Sequence, residues 1–305
     1  MSIEVSFEFF PPATDVGAEN LARCAQALAP LGPRFVSVTY GAGGTTQDRT
    51  HAAVGQLVAD TDLVVAGHLT CVGATKEGVG EVIDRYLAVG VRHIVALRGD
   101  APVGEDDGAV AGGYRDAAEL VSGIRGHVER NGSTADVQIS VGAYPEVHPR
   151  ALSPQADLDN LKRKLDAGAD RAITQFFFDT DVYLRFVEKA RASGITAPIV
   201  PGIMPVTSFA GISRFAERCG TSIPVWMHEL FADTDDDPGL QQLVSASLAA
   251  AQCRRLADEG IEEFHFYTMN RPELTLSTCR MLGLTPRTTG GSAADSFTSE
   301  EKLAS

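Results

Sequence analysis

One carboxylate interrupts an otherwise apolar segment near the start of the chain, which reads IEVSFEFFPP over residues 3–12. The pattern predicts a strand that ends at the two prolines, with Glu8 standing among Phe7, Phe9 and Phe10. Because burial disfavours an ionised carboxyl group, Glu8 should reach water, pair with a cation or hold a proton. The aromatic neighbours favour a raised pKa and general acid catalysis, whereas Glu8 taken alone is equally consistent with an ion pair to an arginine.

Polar side chains also stand at the ends of most other apolar runs. They are Thr39, Tyr40, His68, Thr70, Arg98, Asp100, Tyr144, His148, Gln175, Asn270 and Arg271. Each has an ordinary structural explanation: Arg98 and Asp100 could form an ion pair, and a single His68 is most often a core histidine. Together with Glu8 they supply an acid, a carboxylate beside a cation, an amide and several ring side chains. Such a set suits a bound aromatic cofactor and acid-assisted chemistry better than direct nucleophilic attack.

Eight apolar, β-branched runs alternate with amphipathic segments and would position these side chains. The runs cover residues 3–12, 35–41, 63–71, 91–100, 137–145, 171–178, 198–205 and 263–270. Near-continuous apolar runs are typical of parallel strands that are buried on both faces. Helical spacing marks the segments between them, one of which begins with Ser153 and Pro154. The sequence therefore predicts an α/β fold, a (β/α)8 TIM barrel, with its chemistry at the C-terminal ends of the strands. A doubly wound sheet also alternates in this way but usually has fewer strands.

We predict a single catalytic domain over residues 1–285. The segment 208–259 is long for one crossover and predicts extra helices before the last strand. The glycine-rich, acidic stretch 99–114 follows the fourth strand and predicts a mobile loop on the catalytic face. The tail over 286–305 is rich in serine, threonine and charge, which predicts disorder.

Composition and missing motifs argue against several classes of protein. The formal net charge is −14 and the pI about 4.9, so a nucleic acid is an unfavourable partner. Five widely spaced cysteines with no C-x-x-C pair argue against a zinc cluster or a disulfide framework, and they favour a reducing compartment. The absence of a signal peptide and of a long apolar run predicts a cytoplasmic protein without membrane association. Neither H-E-x-x-H nor G-x-S-x-G occurs, which disfavours a metal hydrolase and a serine esterase.

Several longer strings are specific enough to indicate a family. They are FEFFPP, VSVTYGAGG, HLTC, RHIVALRGD, AYPEVHP, QADLDNLKRKLDAGADRAITQFFFD, PGIMPV and FHFYTMNR. In this order, from about residue 3 to about residue 285, they resemble the bacterial 5,10-methylenetetrahydrofolate reductase family. The resemblance implies non-covalent FAD and the reduction of 5,10-methylenetetrahydrofolate to 5-methyltetrahydrofolate by NADH or NADPH in ping-pong order. Hydride would pass through flavin N5, and the product would supply methyl groups for methionine synthesis.

The resemblance also implies roles for individual residues of this chain. Glu8 would be the general acid that protonates folate N10, and Asp100 the carboxylate that stabilises the resulting cation. Gln175 would bind the pterin and the nicotinamide, Phe215 would stack on either ligand, and Arg271 would contact the substrate. The implied flavin contacts are Thr39, Tyr40, Ala42, His68, Arg98, Gly99, Asp100, Tyr114, Tyr144, His148, Asp157, Asn160, Arg163 and Lys164.

One predicted helix would supply positive charge for the flavin pyrophosphate. Asn160, Arg163 and Lys164 stand at i, i+3 and i+4, and this spacing places them on one face. Two positions depart from the family pattern: Gly211 replaces a glutamine that helps bind folate, and Arg115 replaces a small residue of the flavin pocket. Neither departure touches the implied chemistry.

Two other functions remain open at the level of sequence. A pterin-dependent methyltransferase can use the same fold, although it would bind folate without FAD and need a methyl acceptor. A flavin- or folate-binding protein without turnover would need neither Glu8 nor Asp100. NADH is favoured over NADPH by likeness to bacterial members. The apolar PVWMHELF segment would suit the interface of a homo-oligomer.

Overall fold

The computed structural model describes residues 3–40, 47–100, 110–132, 136–234 and 236–286. Within them, eight parallel strands form a closed barrel in chain order, and the last strand also pairs with the first. The strands are β1 Glu4–Phe9, β2 Val36–Val38, β3 Val65–Thr70, β4 His93–Leu97, β5 Gln138–Ala143, β6 Arg171–Phe176, β7 Ile199–Ile203 and β8 Glu263–Tyr267. The predicted (β/α)8 barrel is confirmed.

Helices surround the barrel and connect its strands. They are α1 Asp15–Leu28, α2 Gln47–Asp60, α3 Lys76–Ala88, α4 Ala117–Arg130, α5 Pro154–Asp166, α6 Thr180–Ala192, α7 Phe209–Cys219, α8 Val225–Leu230, α9 Pro238–Asp258 and α10 Pro272–Met281, with a short 3-10 helix at Ala29–Leu31. Three of them, α7 to α9, lie between β7 and β8, which confirms the extra helices predicted before the last strand. None of the helices in the described ranges is long and apolar enough to cross a membrane. Most of the predicted mobile loop, and all but the first residue of the predicted tail, lie outside the described residues.

Side-chain caps begin most of these helices and so fix their starts at the C-terminal mouth of the barrel. Ser153 Oγ accepts the backbone N–H of Ala156 at 3.1 Å, and Pro154 occupies the first turn of α5, as predicted. Asp116 caps α4 by accepting two backbone N–H groups. Each such cap stabilises its helix by about 1 kcal/mol.

The period-two alternation of the strands divides the apolar side chains between two layers. Phe7 and Phe9 point outward and are buried against the helices in the main hydrophobic core. The barrel interior holds a smaller apolar cluster, formed by Phe35, Ala66, Val95, Ile173 and Val200. Polar side chains occupy much of the remaining interior, and the candidate active site lies among them.

One glycine permits close packing between β3 and α3. The Tyr86 ring lies directly over Gly67, where an added Cβ would be 2.3 Å from Tyr86 Cζ. The buried Tyr86 hydroxyl donates a hydrogen bond to the His68 carbonyl at 2.8 Å. The contact fixes the end of β3 at the point where His68 faces the barrel interior.

Candidate active site

A cavity of about 440 Å³ opens at the C-terminal mouth of the barrel. It is lined by Glu8, Phe10, Pro11, Thr39, Tyr40, His68, Val95, Leu97, Val141, Gly142, Ala143, Tyr144, Ile173, Gln175, Met204, Phe215 and Tyr267. The structure thus brings together seven of the predicted site residues, which are Glu8, Thr39, Tyr40, His68, Tyr144, Gln175 and Phe215. The walls are mainly apolar, and the titratable groups gather around Glu8.

Glu8 lies beside two histidines in the barrel interior. Its Oε2 atom is 3.3 Å from His68 Nε2 and 3.6 Å from His265 Nε2. Neither of these imidazole nitrogens has a well-formed hydrogen bond to the described residues. Both nitrogens are buried and face the Glu8 carboxylate, so a proton can pass within this cluster without crossing water.

The predicted rise in the pKa of Glu8 is wrong for the ligand-free protein. Burial raises the pKa of this carboxyl group, but the adjacent imidazoles of His265 and His68 outweigh that influence and lower the pKa to about 2. The prediction failed because it counted burial but not the two imidazoles that reach Glu8 from β3 and β8; Phe7 and Phe9 face the helices, on the opposite side of the strand. The ion-pair alternative was closer to the structure, with histidine in place of arginine.

Strand register explains how His265 reaches Glu8. β1 and β8 close the barrel with Ser6 opposite His265 and Glu8 opposite Tyr267. His265 Nδ1 lies 2.8 Å from Ser6 Oγ, and both side chains are fully buried. This hydrogen bond orients the ring so that its other nitrogen points at the carboxylate.

Tyr267 forms part of the cavity wall beside this cluster. Its hydroxyl donates to the Thr174 carbonyl at 2.7 Å, and its ring meets the His265 ring edge-on at 5.4 Å. Gly202 leaves the space for that ring, because a Cβ there would lie 2.6 Å from Tyr267 Cε2. Sequence reasoning missed both His265 and Tyr267. The alternation of His265 and Tyr267 with Phe264 and Phe266 was the signal that could have found them.

The turn after β8 holds the end of β1 in place. Thr268 Oγ1 donates to the Glu8 carbonyl at 2.7 Å. The Asn270 side chain accepts the backbone N–H of Phe10 and donates to its carbonyl, each at 2.9 Å. Met269 and Asn270 both adopt left-handed backbone conformations with φ of 53° to make this turn. Glu8 and Phe10 are therefore fixed by backbone contacts as well as by side chains.

A second cavity, of about 480 Å³, continues along the rim towards α5. It shares Leu97, Gly142 and Tyr144 with the first cavity. Its other lining residues are Ala96, Arg98, Gly99, Asp100, Asp116, Ala117, His148, Arg150, Ala151, Leu152, Ala156, Asp157, Asn160 and Lys164. Eight predicted flavin contacts lie here, including Asp100, which lines this cavity and not the one that holds Glu8. The two cavities form one elongated cleft with an apolar end and a polar end.

A buried lysine provides positive charge at the polar end of the cleft. Lys164 is only 7% exposed, and its Nζ donates to the Gly142 carbonyl at 2.5 Å. Burial lowers the pKa of Lys164 to about 8, although Asp157 and Asp116 oppose that shift. Asp157 in turn accepts the backbone N–H of His148 at 3.0 Å, which ties the neighbouring loop to α5.

Three of the predicted site residues lie elsewhere, and a fourth is not among the described residues. Arg163 pairs with Asp116 and lines neither cavity, so the predicted basic face of α5 is reduced to Asn160 and Lys164. Tyr114 lies under Lys76, and Arg271 precedes α10; neither lines the cleft. Ala42 falls outside the described residues. Of the two departures, Arg115 is exposed and pairs with Glu119.

The site shows no arrangement for a metal. Among the residues that the structure describes, no three His, Cys, Asp or Glu side chains gather closely enough to hold an ion. All five cysteines are free thiols, and burial raises the pKa of Cys24, Cys71 and Cys279 to about 12, 11 and 12.

Comparison with known proteins identifies the family. The sequence model of the methylenetetrahydrofolate reductase family matches residues 1–283. The 5,10-methylenetetrahydrofolate reductase of Pectobacterium carotovorum is 47% identical over 284 residues, covering 93% of this chain and 91% of that protein. The enzyme of the same name from Escherichia coli K12 is 45% identical over 284 residues, covering 93% and 92%.

A solved structure supports the fold. An uncharacterized protein from Clostridium thermocellum that binds two copies of 5-methyl-5,6,7,8-tetrahydrofolic acid matches with a TM-score of 0.61. The match covers 92% of this chain and 95% of that one at 13% identity, so it bears on the fold alone. The family match and the two bacterial relatives go further: the chain belongs to the methylenetetrahydrofolate reductase family.

Proposed function

We propose that this protein reduces 5,10-methylenetetrahydrofolate to 5-methyltetrahydrofolate with electrons from NADH or NADPH, through bound FAD and in ping-pong order. The observation that carries the proposal is Glu8, which lies between two imidazoles in the wall of a largely apolar cavity. Family membership supplies the reaction class, and the cluster supplies the proton that the reaction consumes together with a hydride.

The elongated cleft suits FAD. The junction of its two cavities, at Leu97, Gly142 and Tyr144, suits a planar ring system, and its polar end offers Lys164 and Asn160 to a pyrophosphate. A bound flavin would accept hydride from the nicotinamide and later deliver it to the folate. Because Arg163 is engaged by Asp116, Lys164 would be the main cation of α5 at the phosphates.

Glu8 would act as the general acid through its histidine neighbours. At neutral pH the lowered pKa leaves Glu8 ionised, so a proton would have to reach its carboxylate from one of the two adjacent imidazoles, His68 or His265. A pterin that fills the cavity would expel water, and the ion pair would then lose solvation on both sides. Transfer of the proton from imidazole to carboxylate removes both charges and is favoured by that change. Glu8 could then protonate N10, which opens the five-membered ring to the cationic iminium at N5.

The other predicted residues would bind and orient the substrates. Gln175 accepts the Phe176 backbone N–H at 3.0 Å through its carbonyl, so its amide NH2 group can donate to a pterin. Phe215 stacks on Phe176 at 5.5 Å and presents a rigid ring to the cavity. Asp100, at the end of β4, would stabilise the cation from the flavin side. Arg271 lines neither cavity, so its substrate contact has the least structural support.

Half-reaction kinetics test this function against its rivals. The purified protein should be yellow or take up FAD, be reduced anaerobically by NADH, and be reoxidised by methylenetetrahydrofolate. A colourless protein that cannot be reconstituted with FAD would favour the methyltransferase. Flavin that is reduced but never reoxidised by the folate would favour binding without turnover. Parallel runs with NADPH decide the electron donor. A role in methionine synthesis, a cytoplasmic location and a homo-oligomer remain predictions.

A further inference from the structure

A carboxylate on the loop after β5 holds the turn that follows α7. Both oxygens of Glu146 accept the backbone N–H of Ser222, at 3.0 and 3.1 Å. Pro149, on the same loop, packs against Gly220, where an added Cβ would lie 2.6 Å from Pro149 Cγ. Gly220 ends α7 in the left-handed conformation, with φ of 72°, and so permits both the turn and this close approach. We call these two contacts the clasp, formed by Glu146, Pro149, Gly220 and Ser222.

The clasp joins two segments that each supply residues to the cleft. The loop after β5 begins at Tyr144, which lines both cavities, and includes His148, which lines the polar one. The helix α7 carries Phe215, which lines the cavity that holds Glu8. A contact between these segments therefore links the part of the cleft proposed for the flavin to the ring proposed to stack on the substrates.

The position of α7 depends on contacts at its ends. Its buried side chains, Ile212 and Ala216, pack in a smaller apolar cluster that is separate from the main hydrophobic core. Thr221, inside the clasped turn, donates from its hydroxyl to the Phe176 carbonyl at 3.0 Å, and Phe176 stacks on Phe215. The turn thus fixes both the end of α7 and the ring against which Phe215 rests. A helix with few contacts to the main core shifts readily when a contact at its end is lost.

We propose that Glu146 is a positioning residue for both substrates, because the clasp sets the separation between Phe215 and the flavin. The inference rests on the proposed function, in which Phe215 stacks on the ligand that lies against the flavin. Attraction between stacked rings falls steeply with distance, and a gap of about 1 Å forfeits up to about half of it. The nicotinamide and the folate use this space in turn, so loss of the clasp should weaken the binding of both by a similar factor. The reacting groups are untouched, so the rates at saturation should change little.

The test compares Glu146→Ala with the control Asp237→Ala in anaerobic stopped flow. Asp237 also accepts a backbone N–H, that of Leu240 at 3.0 Å, but it caps α9 and lines neither cavity. For each half-reaction of the FAD-loaded protein, the limiting rate and the substrate concentration that gives half of it are measured. In Glu146→Ala, we expect the half-saturating concentrations of NADH and of methylenetetrahydrofolate to rise about three- to tenfold, while both limiting rates stay within about twofold of the wild type. Asp237→Ala should match the wild type in all four values.

A conservative variant separates the hydrogen bond from the charge. The amide oxygen of Glu146→Gln can still accept the Ser222 N–H, so this variant should stay within about twofold of the wild type. A glutamine variant as impaired as the alanine variant would overturn the inference. So would a defect of Glu146→Ala confined to one substrate, which would assign the carboxylate to that substrate. Unchanged half-saturating concentrations in Glu146→Ala, or the same rise in Asp237→Ala, would overturn it as well.

Hydrogen exchange reads the clasp without turnover, in the protein as purified and with no substrate added. The backbone N–H groups of Ser222 and of the last turn of α7 should exchange about tenfold faster in Glu146→Ala than in the wild type or in Asp237→Ala. If this result came with a wild type that proved inactive as a reductase, the clasp would stand and only the proposed function would fail. Equal exchange in Glu146→Ala and the wild type would overturn the inference.

Discussion

Replacing His265 with glutamine should disable proton supply to Glu8 without altering the cavity wall. His265 is fully buried, with Nε2 3.6 Å from Glu8 Oε2, and glutamine can present a neutral amide at about that place. The fall of the Glu8 pKa from 4.5 to about 2 corresponds to roughly 3 kcal/mol in favour of the carboxylate. The two imidazoles also offset the opposing effect of burial, so the loss of one should remove at least about 1.5 kcal/mol and raise the pKa of Glu8 by at least about one unit.

The expected kinetic result is selective. If about 1.5 kcal/mol is the contribution of His265 to proton transfer through Glu8, flavin reoxidation by methylenetetrahydrofolate should slow about tenfold at neutral pH. The pH profile of this step should also change, because the Glu8 carboxyl group titrates at a higher pH once one of the two imidazoles that lower its pKa is gone. Flavin reduction by NADH needs no proton from this cluster and should be unchanged. Stopped-flow measurements across about pH 5 to 9 separate the two half-reactions.

His93→Gln is the matched control. His93 is equally buried in the barrel, with Nε2 2.8 Å from Ser140 Oγ, but it does not contact Glu8. Burial lowers the pKa of His93 to about 3, so this ring is neutral at working pH. An unchanged pH profile in His265→Gln, or the same loss in both variants, would refute the proton-store reasoning.

Three further predictions address the folate cation, the binding of the flavin and the stability of the fold. Asp100→Asn should slow flavin reoxidation by the folate about tenfold or more, because the developing positive charge loses its counter-charge, while NADH oxidation continues. Stopped flow follows both half-reactions, and wild-type rates in both would remove Asp100 from the mechanism. The affinity for flavin, measured by the fluorescence of the released cofactor, should fall as pH rises through about 8, where Lys164 loses its proton. Lys164→Met should abolish this pH dependence, whereas Lys162→Met, on the outer side of the same helix, should keep it. Gly67→Ala should lower the free energy of unfolding in urea by about 1–3 kcal/mol through its clash with Tyr86, whereas Gly55→Ala in α2, with nothing within 4 Å, should be neutral or stabilising.

Local sequence patterns were sufficient to predict the strands and the main helices of this fold. Alternating apolar runs and helical segments predicted the eight strands, and Ser153 with Pro154 predicted the start of α5. Strand ends also located the cavity, because the C-terminal ends of parallel strands meet at one mouth of a barrel. β2 is shorter than predicted, at Val36–Val38, since pairing on both sides ends there.

Contacts made by barrel closure were beyond the reach of local patterns. Ser6 and His265 are 259 positions apart, and only the register of β1 with β8 brings the imidazole to Glu8. The error about the pKa of Glu8 has this origin, because the histidines that lower it stand far from Glu8 in the sequence and reach it only in the closed barrel. The prediction that Arg163 contacts the flavin failed for a similar reason. Its spacing from Asn160 predicted the helix face correctly, but Asp116, which precedes another helix, forms an ion pair with it.

Substitution of Glu8 tests the central claim most directly. Glu8→Gln preserves the shape of the cavity and removes the exchangeable proton, and Glu4→Gln makes the same change on the same strand at an exposed ion pair with Arg34. In anaerobic stopped flow, we predict that the flavin of Glu8→Gln is reduced by NADH at close to the wild-type rate but is reoxidised by methylenetetrahydrofolate at least about 100-fold more slowly. Glu4→Gln should match the wild type in both half-reactions. Reoxidation of Glu8→Gln at the wild-type rate would contradict the account.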